Sequence, residues 1–134
     1  MKFYFDENFS LYLAKGFAAF QEGRKQEGIE VLHVVDQFGR RTPDEEWIPA
    51  VAQKHGIAVT IDFDIHRTRH LAQLCSDYKL GMFFFRPPKK TKYGYWQLIN
   101  WVMKFWEPIK EHAKSASRPF EYEITPRSRK LKEV

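Results

Sequence analysis

Two carboxylates close a short apolar run: Ala58-Val59-Thr60-Ile61 leads into Asp62, and Asp64 stands two residues further on. The β-branched Val59, Thr60 and Ile61 favour a strand, and the lack of polar alternation suits one buried on both faces of a parallel sheet. Acids at the mouth of such a strand repel one another and lose hydration, so they call for a cation or a raised pKa. A divalent metal is one answer. The simpler one is that Asp62 or Asp64 caps the following helix through a side-chain oxygen.

Other acids have comparable settings. Asp6 follows the aromatic strand signal Lys2-Phe3-Tyr4-Phe5. Asp44 and Glu45 lie in Thr42-Pro43-Asp44-Glu45, which reads as a helix start with Thr at the N-cap, Pro at the first helical position and Glu three residues after the Thr. Successive helical side chains point about 100° apart, so only one of this pair turns inward. For Glu45 the alternative is a capping box. Asn8 has the chemistry to orient Asp6 or a metal-bound water, and equally to cap a helix. The Thr60 hydroxyl can bond a phosphate or a carboxylate, although a β-branched strand residue needs no such role. Acids converging from separate strand ends would form an oxygen-rich site suited to Mg²⁺ or Mn²⁺.

The elements that must position these residues alternate along the chain. Leu11, Leu13, Ala14, Phe17, Ala18 and Phe20 recur at helical spacing after the first strand. Ile29 to Val35 reads as a second strand followed by a loop around Gly39, and a helix runs from the Pro43 region to about His55. After the strand at residues 58–61 comes a helix from about Ile65 to Tyr78, then the strand Met82-Phe83-Phe84-Phe85. A long helical pattern starts at Tyr95 and meets Pro108, where a kink or restart is expected. Phe120-Glu121-Tyr122-Glu123-Ile124 alternates as a half-exposed strand does. This order predicts a three-layer α/β/α sandwich with a mainly parallel sheet, whose strand ends share one edge. Residues 1–125 form a single domain on this reading, and residues 126–134 a basic, frayed tail.

Composition supports one domain: 134 residues with 43% hydrophobic content supply one core and not two. No run is apolar enough to span a bilayer and the amino terminus lacks signal-peptide features, so a cytoplasmic protein with no membrane partner is expected. Cys75 is a lone cysteine, which excludes an internal disulfide. The net charge of +5 is split unevenly. Residues 1–66 hold seven Lys/Arg and eleven Asp/Glu, and residues 67–134 hold fifteen and six. An acidic site beside a basic surface is what an enzyme acting on a polyanion needs, although surplus lysines also serve solubility.

Phe5-Asp6-Glu7-Asn8, Asp44-Glu45-Glu46-Trp47-Ile48 and Val59-Thr60-Ile61-Asp62-Phe63-Asp64 resemble, in order and spacing, the three acidic motifs of PIN-like domains over about residues 1–88. The resemblance implies a PIN-like fold and a metal-dependent endoribonuclease of single-stranded RNA, in the manner of VapC-type toxins of toxin–antitoxin pairs. By motif position it makes Asp6, Asp62 and Asp64 metal ligands with Asp44 or Glu45 as the fourth acid. All five acids are then catalytic candidates, with Mg²⁺ or Mn²⁺ as cofactor. The sequence departs from the better-known pattern at Glu7, where Ser or Thr is usual, and at Ile65, near where Phe is common. Both departures mark a divergent branch, which also admits a catalytically silent PIN-like module that binds RNA or protein.

Substrate-holding cations follow from the charge map. Arg67 and Arg69 lie beside the site with His66, and Arg86, Lys89, Lys90 and Lys92 lie on the link after the fourth strand. Tyr93, Tyr95 and Trp96 adjoin that link and have the faces to stack on bases, although for Trp96 a core role in the final helix is the preferred reading. His66 and His70 share a helical spacing but lack the further ligands of a zinc site. The long helix bears two apolar stripes, and the one containing Leu98, Trp101 and Phe105 is expected to meet a partner, either an antitoxin or a second copy of the chain.

Overall fold

In the computed structural model, residues 1–61, 64–88 and 92–134 are described. Their strands are β1 (Lys2–Phe5), β2 (Glu30–His33), β3 (Ile57–Ile61), β4 (Gly81–Phe85), β5 (Phe120–Ile124) and β6 (Lys132–Glu133). They form one sheet in the order β2-β1-β3-β4-β5-β6. The first five are mutually parallel, and only β6 runs antiparallel, beside β5. The register pairs Phe5 with His33, Ile61 with Phe85 and Phe85 with Ile124. The carboxyl ends of β1 to β5 therefore share one edge, where such sheets place their ligand crevice.

Side-chain alternation along each strand divides the core into two layers. Phe3, Phe5, Val59, Ile61, Phe83 and Phe85 face the helices α1 (Leu11–Glu22) and α5 (Tyr95–Ser115). Tyr4, Ala58, Met82 and Phe84 face α2 (Val34–Phe38), α3 (Asp44–Gln53) and α4 (Ile65–Tyr78). The architecture is the expected three-layer sandwich. Every residue of β3 and β4 is buried, in keeping with central parallel strands covered on both faces.

Four local expectations change. The second strand ends at His33, and Val34 to Phe38 turn into a short helix. The imidazole of His33 brings this about by accepting the Val35 N–H at 3.0 Å, a capping role that periodicity does not reveal. The tail is not frayed throughout: Lys132 pairs with Glu123, and Leu131 is buried. Helix α5 does not restart at Pro108 but runs on through it, and Phe105 and Trp106 before it and Ile109 and Ala113 after it belong to the same core layer.

The fourth change concerns the anticipated partner stripe. Trp101 is 5% and Phe105 1% exposed, both inside the chain's own core, and Leu98 packs partly buried against it. The inward face of α5 takes residues 101, 102, 105, 106, 109 and 113, combining members of both apolar stripes. The expected interface is thus core at Trp101 and Phe105. Trp96, for which a core role was the favoured expectation, is 75% exposed, so that expectation is corrected.

Candidate active site

Asp6 is the first residue past β1, and its backbone N–H still bonds to Val59 O at 3.0 Å. Alternation puts its side chain on the face of Tyr4, toward α3 and α4, and it is only 1% exposed. Thr60, two residues beyond Ala58 on the same face of β3, donates its hydroxyl to Asp6 Oδ2 in a short hydrogen bond. The Asn8 N–H donates to Asp6 Oδ1 at 3.1 Å. Asn8 also donates its side-chain amide to Ile61 O at 3.0 Å, which ties the carboxyl ends of β1 and β3 together. The helix-capping alternative for Asn8 falls away, since Ser10 caps α1 by accepting the Tyr12 N–H.

Among the described residues, one cation attends this carboxylate. Arg67, in the first turn of α4, places Nη2 3.8 Å from Asp6 Oδ2 and 3.9 Å from Asp44 Oδ1. Asp44, the first residue of α3, is steadied by the Trp47 indole N–H, which donates to Oδ1 at 2.9 Å. Glu45 points elsewhere and pairs with His70 of α4 at 2.9 Å. The geometry separates the two acids of this motif: Asp44 shares the Arg67 guanidinium with Asp6, and Glu45 bridges the two helices at the surface. No capping box forms at α3, where Pro43 occupies the N-cap position without a side-chain bond. The Thr42 hydroxyl donates instead to Phe38 O and Gly39 O.

Burial dominates the electrostatics. It pushes the Asp6 carboxyl up to about 7, against the lowering effects of the Thr60 hydroxyl, the Arg67 guanidinium and the backbone N–H of Asn8. A buried acid at a crevice that stays half protonated near neutrality marks a site where a proton or a cation is handled.

Asp64 caps α4, its Oδ1 accepting the His66 N–H at 2.9 Å. Asp62 lies outside the described residues, as do Lys89 and Lys90. Among the described residues, no group of three or more His, Cys, Asp or Glu could hold a metal ion. His66, Arg69 and Lys92 are exposed, and Arg86 pairs with Glu123 at 3.3 Å. Thr60 is completely buried and engaged with Asp6, so its hydroxyl serves the carboxylate side of the two roles foreseen for it.

Two contributors escaped the sequence reading. Glu7 accepts the Arg41 N–H on both carboxylate oxygens, at 3.1 and 3.2 Å. It fixes the turn before α3, where Arg41 has φ 58°, and so helps place Asp44. His33 lies at 2.8 Å through Nε2 from Phe9 O, locking the end of β2 against the loop that carries Asp6. The only sequence signal for His33 is a histidine at a strand end. The departure at Glu7 from the usual Ser or Thr was visible, but its partner was not.

Residues 1–87, more than half of the chain, match a family described as PIN-like domain. No curated protein and no solved structure gives a significant match.

Proposed function

Since this chain belongs to the PIN-like domain family, whose members are in general nucleases, we propose that it is a divalent-metal-dependent endoribonuclease acting on single-stranded RNA, and the toxin of a toxin–antitoxin pair. The observation that carries the reading is the buried carboxylate of Asp6 at the carboxyl edge of the sheet, bonded to Thr60 and Asn8 and sharing a counter-cation with Asp44.

The donor set fits a hard divalent cation, because carboxylate and hydroxyl oxygens are what Mg²⁺ and Mn²⁺ select. Asp6 and Asp44 would hold it, with Asp62 and Asp64 as the further acids of the motif. Such an ion supplies a water of lowered pKa and neutralises charge on the leaving oxygen. Thr60 and Asn8 hold the Asp6 carboxylate in one orientation. Arg67 balances the two acids at rest and, being part-exposed, can turn to a substrate phosphate once another cation takes its place. Arg69, Arg86, Lys89, Lys90 and Lys92 hold the backbone of the RNA, and exposed Trp96 offers a face to an unpaired base.

Cleavage of a labelled single-stranded RNA in Mn²⁺ by the wild type and by Asp6→Asn tests the reading. Activity in the wild type and its loss in the variant are expected, and equal behaviour rejects it. The toxin role predicts growth arrest on expression, relieved by a co-expressed neighbouring gene product.

Arg67 also favours a second reading, a silent PIN-like module that binds RNA or protein. A guanidinium lodged between two acids can stand permanently where a metal would. Calorimetric titration with Mn²⁺ separates the two, since the nuclease binds the ion and the silent module does not.

A further inference from the structure

The carboxyl edge continues past the acids. Beyond β4 and β5, Arg86, Pro87, Pro88, Thr125, Pro126 and Arg127 line a cavity of about 410 Å³. Pro126 also belongs to a neighbouring cavity of about 430 Å³, walled by Tyr93 and, in the first half of α5, by Gln97, Asn100, Trp101 and Lys104. All of these α5 residues lie beyond the part of the chain that matches the PIN-like family. Ring contacts connect the second cavity to the acid site. Trp101 meets Phe85 edge-on at 5.1 Å, Phe85 meets Phe9 at 5.8 Å, and the Phe9 N–H bonds to Asp6 O.

We propose that this second cavity is a subsite for one nucleotide of single-stranded RNA and prefers a base bearing carbonyl groups, uracil above adenine. The inference rests on the RNA-directed reading given above. A volume of this size lies in the range of small-molecule sites, and the wall has the composition of a base pocket, with aromatic faces, carboxamides and a cation. Its donors decide the preference. The side-chain oxygen of Gln97 already accepts the Gly94 N–H at 2.7 Å, so Gln97 offers the cavity its amide N–H groups. Lys104 brings only donors. Among the described residues, the buried Trp101 indole N–H has no hydrogen-bond partner, which is rare for a polar group in a folded core. A base carbonyl that displaces the atoms closing over this N–H and meets it at the ring edge supplies an acceptor, and the Asn100 carboxamide can take the ring N–H of uracil. Adenine presents no carbonyl on any edge. Arg86 and Arg127 in the adjoining cavity are placed for the phosphates of a strand running from this pocket toward Asp6.

The test is fluorescence anisotropy of end-labelled oligouridine and oligoadenosine, each about eight nucleotides long, with the full chain in EDTA so that binding is read without cleavage. The wild type is expected to bind oligouridine several-fold more tightly. Asn100→Ala combined with Lys104→Ala, both at exposed positions, should weaken oligouridine binding by roughly tenfold and narrow the preference. Trp101→Phe keeps a ring and removes the N–H, and should narrow the preference with an unchanged circular dichroism spectrum. The inference is overturned by equal binding of the two oligomers, by no binding of either, or by affinities of the double variant within about twofold of wild type. If wild type cleaves nothing in Mn²⁺ while the double variant still loses oligouridine, the subsite stands and the nuclease reading falls. If wild type cleaves and the double variant binds oligouridine as before, the nuclease reading stands and the subsite falls.

Discussion

The guanidinium of Arg67 stands 3.8 Å from the buried carboxylate of Asp6, and through the same nitrogen it reaches Asp44. An incoming divalent ion must compete with this resident positive charge or displace it. Arg67→Gln therefore removes this positive charge from beside the acids, and Mn²⁺ should bind about tenfold more tightly than to wild type. RNA binding should weaken in the same variant, because the phosphate loses a partner. Isothermal titration with Mn²⁺ reads the first effect, and unchanged or weaker metal affinity contradicts the competition.

Asp6 makes the stability of the metal-free protein depend on pH in an unusual direction. Its carboxyl is raised from 3.8 to about 7 by burial, so the folded state holds the proton more tightly than the unfolded chain does. The associated stability is complete below the ordinary carboxylate range, drains away as pH rises from about 4 to about 7 and changes little above that. Asp6→Asn should flatten this slope and be more stable than wild type at pH 8 by about 1–3 kcal/mol. Urea melts across this range check it. Mn²⁺ affinity should have the opposite trend, gaining about tenfold per pH unit below about 7 and then levelling off.

Thr60 offers a finer probe of the same group. Its hydroxyl is the largest of the influences that hold the Asp6 carboxyl down against burial. Thr60→Val preserves the β-branched shape and removes the donor, so the midpoint for Asp6 should move further up. The upper end of the pH window moves with it, and about 1 kcal/mol of stability is lost where Asp6 is ionised. Carboxyl-carbon NMR titration of Asp6 measures the midpoint directly. A fall, or no movement, would mean that the hydroxyl does not act on the ionised form.

Much of this arrangement was legible from strand ends alone. Asp6 follows an aromatic strand and Thr60 lies in a β-branched run, and a parallel sheet brings such positions to one edge whatever their separation in sequence. The division of labour between Asp44 and Glu45 was not legible. Helical geometry says that one turns inward, but the choice is made by the Trp47 indole and by His70, partners that exist only after folding. The same holds for α5. Two apolar stripes looked like one face too many, yet the packed helix draws its buried residues from both, leaving Trp96 and Met103 outside. Local pattern fixes the period of a helix, and tertiary contacts fix which side faces the sheet.

That packing makes α5 part of the core, although it lies beyond the residues matched by the PIN-like family. Trp106 touches Phe3 at 5.1 Å, Phe17 at 5.1 Å and Phe5 at 6.2 Å. Its indole N–H donates to Gln21 Oε1 at 2.8 Å, so one residue joins α5 to α1 and β1. Trp106→Ala leaves a large void and an unpaired buried amide, and should cost about 3–5 kcal/mol, a substantial part of the stability of an ordinary domain. A chain ending at residue 88 should fare worse. It uncovers Phe3, Phe5, Phe83 and Phe85 and turns β4 into a bare edge strand. Circular dichroism melts of the two proteins test this: the substitution should lower the midpoint of a cooperative transition, and the truncated chain should show no such transition. A cooperative melt from residues 1–88 alone would make α5 an accessory to the fold.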